Sequence, residues 1–222
     1  MMRLWCLLIG YAFGCIQSAY FIGKLKGIDI HQYGSGNAGT TNAVRVLGFR
    51  AGLATFLMDM FKCIIPAVIV TMTFGKMYPE MKYLFKVWTF AGCVLGHDYP
   101  FYLKFRGGKG VAVMAGFCAC FHWVYIPVEI LVFGIPYAAT QYVSLGSLCV
   151  YAAGLVLMII QGQLGVYAPA TQGTLVEMYI VYGIMAAMCF WRHRTNIHRL
   201  VTGTERKTNL FAAKKDDVPK NN

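Results

Sequence analysis

Apolar residues in this chain run in long blocks, without the strict alternation of a barrel strand. The blocks cover 4–23, 51–74, 83–103, 145–160 and 175–191, with a longer stretch at 111–139. Most approach the ~20 residues that a helix needs to cross a bilayer core. Such a core offers no water to backbone N–H and C=O groups, so helices that satisfy them internally are expected. The pattern therefore predicts an all-α integral membrane domain over 1–210, followed by a disordered basic tail at 211–222. The first block reads as a retained crossing, because it is long for a signal and has no small-x-small cleavage site.

Composition agrees with this reading. The chain has 222 residues, 58% hydrophobic and 13% charged, where a soluble domain averages about a quarter charged. Its eight cysteines lie almost wholly inside apolar blocks with no C-x-x-C pair, which points to packing rather than to metal or disulfide chemistry.

Charge then counts the crossings. Fifteen of the 20 basic residues fall in three stretches, 24–50, 104–109 and the segment after Trp191, while 161–173 carries no charge. Basic loops mark the cytoplasmic side. All three share that side only if 111–139 crosses twice, with 122–127 as its outer turn. About seven transmembrane helices follow, with the N-terminus outside and the C-terminus inside. The two helices of the split stretch are then short, which local thinning or neighbouring helices accommodate.

That topology gathers the polar motifs on one face. They are GSGNAGTTN at 34–42 with Arg45, FRGGKG at 105–110, QYVSLGS at 141–147 and WRHRTNIHRLVTGTE at 191–205. Glycine-rich segments beside fixed cations suit anion binding, since backbone N–H groups reach phosphate oxygens when no side chain intervenes. A helix starting near Thr41 or Asn42 would add its positive dipole end. Gly34, Gly36 and Gly39 have the G-x-G-x-x-G spacing, but no strand precedes them, so the dinucleotide reading is rejected. FRGGKG is not a P-loop, because Leu103 and Gly110 stand where Gly and Ser or Thr are required. His193, Asn196 and Arg199 are spaced by three, which puts them on one side of a helix.

Five acidic or paired positions lie outside these loops. Asp59 and Lys62 are three apart within an apolar block and are expected to face each other. Glu129 is expected to face the outer interface. Thr174 and Glu177 have capping-box spacing for the last helix. Two functional classes stay open on the residues alone: an enzyme acting on phosphorylated substrates, and a transporter of a phosphorylated solute. No histidine is followed five residues later by Asp, which removes an acyltransferase of the H-x-x-x-x-D type.

GSGNAGTTN, GGKGVA at 107–112, YVSLGS and the H-R-x-N-I-x-R-L-x-x-G-x-E run from His193 to Glu205 together resemble the bacterial acyl-phosphate glycerol-3-phosphate acyltransferases, the PlsY family. The resemblance implies a seven-helix enzyme of the bacterial cytoplasmic membrane, its active site facing the cytoplasm. The implied reaction moves a fatty acyl group from acyl phosphate to the 1-hydroxyl of sn-glycerol 3-phosphate, giving lysophosphatidic acid and phosphate. It implies no metal and no other cofactor. The expected partners are glycerol 3-phosphate, long-chain acyl phosphate and membrane lipids, with no nucleic acid. By the same resemblance Ser35, Arg45, Lys109, His193 and Asn196 surround the acceptor, with Ser35, His193 and Asn196 as the catalytic set. Gly36, Asn37, Gly39, Thr40, Thr41 and Asn42 hold the donor phosphate, and Ser144 and Arg199 line the site. Arg106, Thr195, Gln141, Asp98 and Tyr99 depart from the family's commonest residues.

Overall fold

The structure, a computed structural model, describes residues 1–208; the expected tail lies outside the described residues. Among the described residues eleven α-helices account for the fold and there is no strand. They are α1 (Met2–Gly14), α2 (Ser18–Leu25), α3 (Thr40–Leu47), α4 (Phe49–Met72), α5 (Phe74–Met77) and α6 (Lys82–Asp98), followed by α7 (Val111–Phe121), α8 (Tyr125–Thr140), α9 (Val143–Gln163), α10 (Gln172–Arg192) and α11 (Arg194–Val201). The stretches Met2–Leu25, Phe49–Met77, Val143–Gln163 and Gln172–Arg192 are long and apolar enough to cross a membrane. With α6 and the shorter apolar pair α7 and α8, they make about seven passes.

The outward surface fits a lipid solvent. Phe61, Ile65, Ile135, Ile180 and Ile184 are all exposed. Inside, Phe90 stacks near Phe117 at 4.4 Å between ring centres and near Tyr182 at 5.9 Å. Small residues set the closest helix pair. On α1 Gly10 and Gly14, and on α6 Gly92 and Gly96, are four apart, and a Cβ at any of them would strike the facing backbone. Such small-xxx-small seams let backbones approach where burial from water offers no driving force between helices.

The first crossing differs from its expectation. It breaks at 15–17, between α1 and α2, where the freed carbonyls find partners elsewhere. Lys62 Nζ donates to Ile16 O at 2.7 Å, and Tyr102 Oη donates to Cys15 O at 2.7 Å. The break delivers Ser18 Oγ to Asp59 Oδ1 at 2.7 Å. Asp59 also takes Lys62 Nζ at 2.8 Å, as expected, and Lys62 reaches His97 Nδ1 at 2.7 Å. A polar chain thus joins α2, α4 and α6 inside the bundle.

Two acidic expectations are corrected. Thr171, not Thr174, caps α10, its Oγ1 accepting from Thr174 N at 3.3 Å. Glu177 instead binds Arg3 at 2.5 and 2.7 Å and Trp88 Nε1 at 2.8 Å, tying α1 and α6 to α10. Glu129 does not face the outer interface; it is 7% exposed and lines the interior cavity. The split of 111–139 into two helices holds. Its turn closes earlier than expected, since α8 starts at Tyr125 and Pro127 fits within a first turn, where no N–H is needed.

Candidate active site

The loops at one end of the bundle close over a cavity of about 1270 Å³, whose apolar part runs down between α4, α7, α8 and α9. Every residue expected to bind substrate or to act in catalysis, from Ser35 to Arg199, lines it.

One wall is the loop before α3. Gly34 and Gly36 take positive φ, 63° and 68°, a left-handed backbone that glycine adopts without strain. A Cβ at Gly34 would collide with Asn42 Oδ1. Asn42 is buried and fastens the loop: its Nδ2 donates to Tyr33 O at 3.1 Å and Ile30 O at 3.3 Å, and Oδ1 accepts from Ser35 N at 2.8 Å. Asn42 therefore shapes the cradle, with its amide occupied by backbone. The helix begins at Thr40, slightly earlier than the sequence suggests, and Gly39 supplies no side-chain cap. Thr40 Oγ1 is buried and has no partner among the described residues. Uncapped first-turn N–H groups, an orphaned hydroxyl and the positive helix end together favour an anion.

The opposite wall centres on Glu205. Its Oε1 accepts from Asn196 Nδ2 at 2.7 Å and Ser144 Oγ at 2.9 Å, and its Oε2 from Arg199 Nε at 2.7 Å. Burial works to raise this carboxyl, but the hydrogen bonds from Asn196, Arg199 and Ser144 hold it below its ordinary range. Asn196 Oδ1 in turn accepts from Lys109 Nζ. Burial, then the charges of Arg192 and Arg199, bring the Lys109 ammonium down to about 8.

Lys109 is placed from beneath by Arg192. The Arg192 Nη2 donates to Gly108 O at 2.6 Å and Gly107 O at 3.2 Å, the two carbonyls just before Lys109. Its guanidinium lies 5.2 Å from the centre of the Tyr99 ring, and its Nε is 3.7 Å from Asp98 Oδ2. Asp98 and Tyr99 thus meet the same arginine.

His193 does not share a helix with Asn196. It is the hinge residue between α10 and α11, yet the turn keeps His193, Asn196 and Arg199 on the same cavity. Its Nδ1 sits 2.9 Å from Cys189 O. A carbonyl only accepts, so Nδ1 carries the proton and Nε2 presents a lone pair. Burial first, then the Lys109 charge, push the imidazole down to about 4, so it is neutral.

The segment after α11 crosses the cavity mouth. Thr208 Oγ1 accepts from Arg45 Nη2 at 3.0 Å, Thr208 N donates to Gln141 O at 3.0 Å, and Tyr137 donates to Thr208 O at 3.0 Å. Glu205, Arg192 and Thr208 had no role assigned from the sequence. Glu205 closes the last motif, and that adjacency was the available signal for it.

A family model described as glycerol-3-phosphate acyltransferase matches residues 4–203. The chain belongs to this family. Members named glycerol-3-phosphate acyltransferase include one from Thermotoga maritima, 38% identical over 92% of this chain and 95% of its own length. Another, from Halalkalibacterium halodurans, is 37% identical over 91% of this chain and 94% of its own. The fold is similar to crystal structures of PlsY (YgiH), an integral membrane glycerol 3-phosphate acyltransferase. The glycerol 3-phosphate form shares 31% identity at a TM-score of 0.80, covering 94% of this chain and 96% of that one. The lysophosphatidic acid form shares 30% at 0.78, covering 95% and 97%. This acyltransferase is a multi-pass membrane enzyme, and its family membership decides against the transporter reading.

Proposed function

We propose that the cavity transfers a fatty acyl group from acyl phosphate to the 1-hydroxyl of sn-glycerol 3-phosphate, releasing lysophosphatidic acid and inorganic phosphate. One observation carries the reading: two cationic, glycine-lined walls share a cavity with an apolar groove. Both substrates bear phosphate, and the donor also bears a long chain. The uncapped start of α3, with Gly36, Asn37, Gly39, Thr40 and Thr41, would take the donor phosphate. Arg45 and Lys109 would take the acceptor phosphate, with Ser35 beside the reacting groups. The acyl chain would lie between α4, α7, α8 and α9.

The acceptor oxygen attacks the acyl carbonyl carbon, its proton passes to His193 Nε2, and the bond to phosphate breaks. Two phosphates nearby would raise the imidazole toward a useful basicity. The His193 proton then leaves on the departing phosphate. Acyl phosphate is a mixed anhydride with a good leaving group, so positioning and charge stabilisation suffice without a covalent nucleophile.

Purified protein in detergent is expected to release phosphate with acyl phosphate and glycerol 3-phosphate, and to give no product from acyl-CoA. Turnover with acyl-CoA alone would overturn the donor assignment.

The basic loops support a cytoplasmic placement of the site in a bacterial inner membrane. In a background lacking the eight native cysteines, Gln172→Cys is expected to react with an impermeant thiol label from outside, and Lys104→Cys only from the cytoplasmic side. Reversed labelling would invert the topology.

A further inference from the structure

The chain that follows α11 is built to lie across the cavity. The helix ends in a paired reversal: Thr204 N donates to Arg199 O at 2.8 Å and Gly203 N to Leu200 O at 3.3 Å. Gly203 takes a φ of 69°, the left-handed turn that glycine supplies at a helix end. The reversal sends residues 204–208 back over the site, where Glu205, Arg206 and Thr208 line the cavity. Glu205 pins one end of this strap to Ser144, Asn196 and Arg199. Thr208, 7% exposed, pins the other.

Two kinds of bond hold Thr208, and they are separable. Its backbone joins the α8–α9 turn, with N donating to Gln141 O at 3.0 Å and O accepting from Tyr137 Oη at 3.0 Å. Gln141 presents that carbonyl from a left-handed backbone, φ 61°, which a residue other than glycine adopts at some cost. The side chain reaches a different element: Oγ1 accepts from Arg45 Nη2 at 3.0 Å. Arg45 stands in the last turn of α3 and lines the cavity. A guanidinium is a rigid planar fork, so a bond at one terminal nitrogen sets the direction in which the others point. The backbone bonds therefore fix Thr208 in place without its hydroxyl, and the hydroxyl aims the arginine.

We infer that Thr208 is a positioning residue for the acceptor: by holding Nη2 it orients the Arg45 guanidinium toward the phosphate of glycerol 3-phosphate. The inference rests on the assignment of that phosphate to Arg45 above. It also extends the site past residue 203, where the match to the family model ends. A long arginine side chain gives up rotamer freedom when it takes a phosphate, and less of it when the side chain is already held. The phosphate is charged in ground and transition states alike, so the effect belongs to KM rather than to kcat.

The test is steady-state kinetics with glycerol 3-phosphate varied at saturating acyl phosphate. Thr208→Val keeps the side-chain shape and both backbone bonds but removes the acceptor. It is expected to raise KM for glycerol 3-phosphate by about 10-fold, with kcat changed less than about twofold. Thr208→Ser keeps an acceptor and should stay near the wild-type value. Thr208→Ala carries the same expectation as valine if the valine variant does not fold. In an Arg45→Ala background the Thr208→Val change should add nothing, because the two residues act as one unit. A wild-type KM in Thr208→Val, beside a raised KM in Arg45→Ala, overturns the inference alone. So does a Thr208 effect that persists without Arg45, which marks a structural role, or a lowered KM, which makes the hydroxyl a rival of the phosphate. An unchanged KM in Arg45→Ala overturns the acceptor-phosphate assignment and the inference with it. Wild-type protein that turns over acyl-CoA but not acyl phosphate overturns the acyl-phosphate reading and all that rests on it.

Discussion

Replacing His193 with alanine is expected to lower kcat by about 10²–10³-fold, with KM for glycerol 3-phosphate changed little. The expectation follows from its tautomer. Cys189 O fixes the proton on Nδ1 and leaves a lone pair on Nε2, and His193 lines the cavity with Lys109 and Asn196. A neutral acceptor there takes up charge only as the hydroxyl loses its proton, so its contribution belongs to the transition state and appears in kcat. The imidazole also bears on stability. Its folded value of about 4 lies below the ordinary 6.5, so the stabilisation present above 6.5 is lost as pH falls toward 4. Steady-state kinetics on folded, detergent-purified protein decide the matter. A change confined to KM would make His193 a binding residue and pass the proton to a substrate phosphate.

Replacing Lys109 with methionine is expected to act in the opposite manner, raising KM for glycerol 3-phosphate by about 10²-fold with a smaller effect on kcat. A phosphate is charged in both ground and transition states, so a cation that pairs with it contributes mostly to binding. The pH dependence adds a signature. Lys109 loses its proton near 8 rather than at its ordinary 10.5, so kcat/KM should fall about tenfold per pH unit above 8. Over the same interval the unfolded chain keeps a proton that the folded chain has released. Stability from this group therefore rises with pH. Loss of activity without loss of folding distinguishes deprotonation from denaturation. Lys109→Arg should hold activity to higher pH, and a wild-type profile flat to pH 10 would remove Lys109 from the phosphate site.

Much of this site is legible in the order of residues along the chain. Span length, the bias of basic loops and short contiguous motifs are properties of the chain read in one dimension. They suffice to put GSGNAGTTN, FRGGKG and the segment after α10 at one end of a helical bundle. Even the spacing of His193, Asn196 and Arg199 leads to a correct grouping, although a hinge at His193 separates the two helices.

What the sequence could not decide was the partner of each buried polar group, because partners come from distant segments. The first crossing breaks at 15–17, where Tyr102 and Lys62 from other segments supply donors to the carbonyls of Cys15 and Ile16. Glu177 has capping-box spacing, yet Arg3 and Trp88 claim its carboxylate from across the bundle. Asn42 has the position of a phosphate ligand, and packing turns it into the fastener of its own loop. Glu205 gathers Ser144, Asn196 and Arg199 around one carboxylate that no local pattern singles out. Where water is scarce, an unpaired polar group is costly. Hydropathy and charge along the chain therefore settle which segments enter the membrane and on which side the loops gather, while only tertiary packing settles which buried groups satisfy one another and which, like Glu129, find no partner among the described residues.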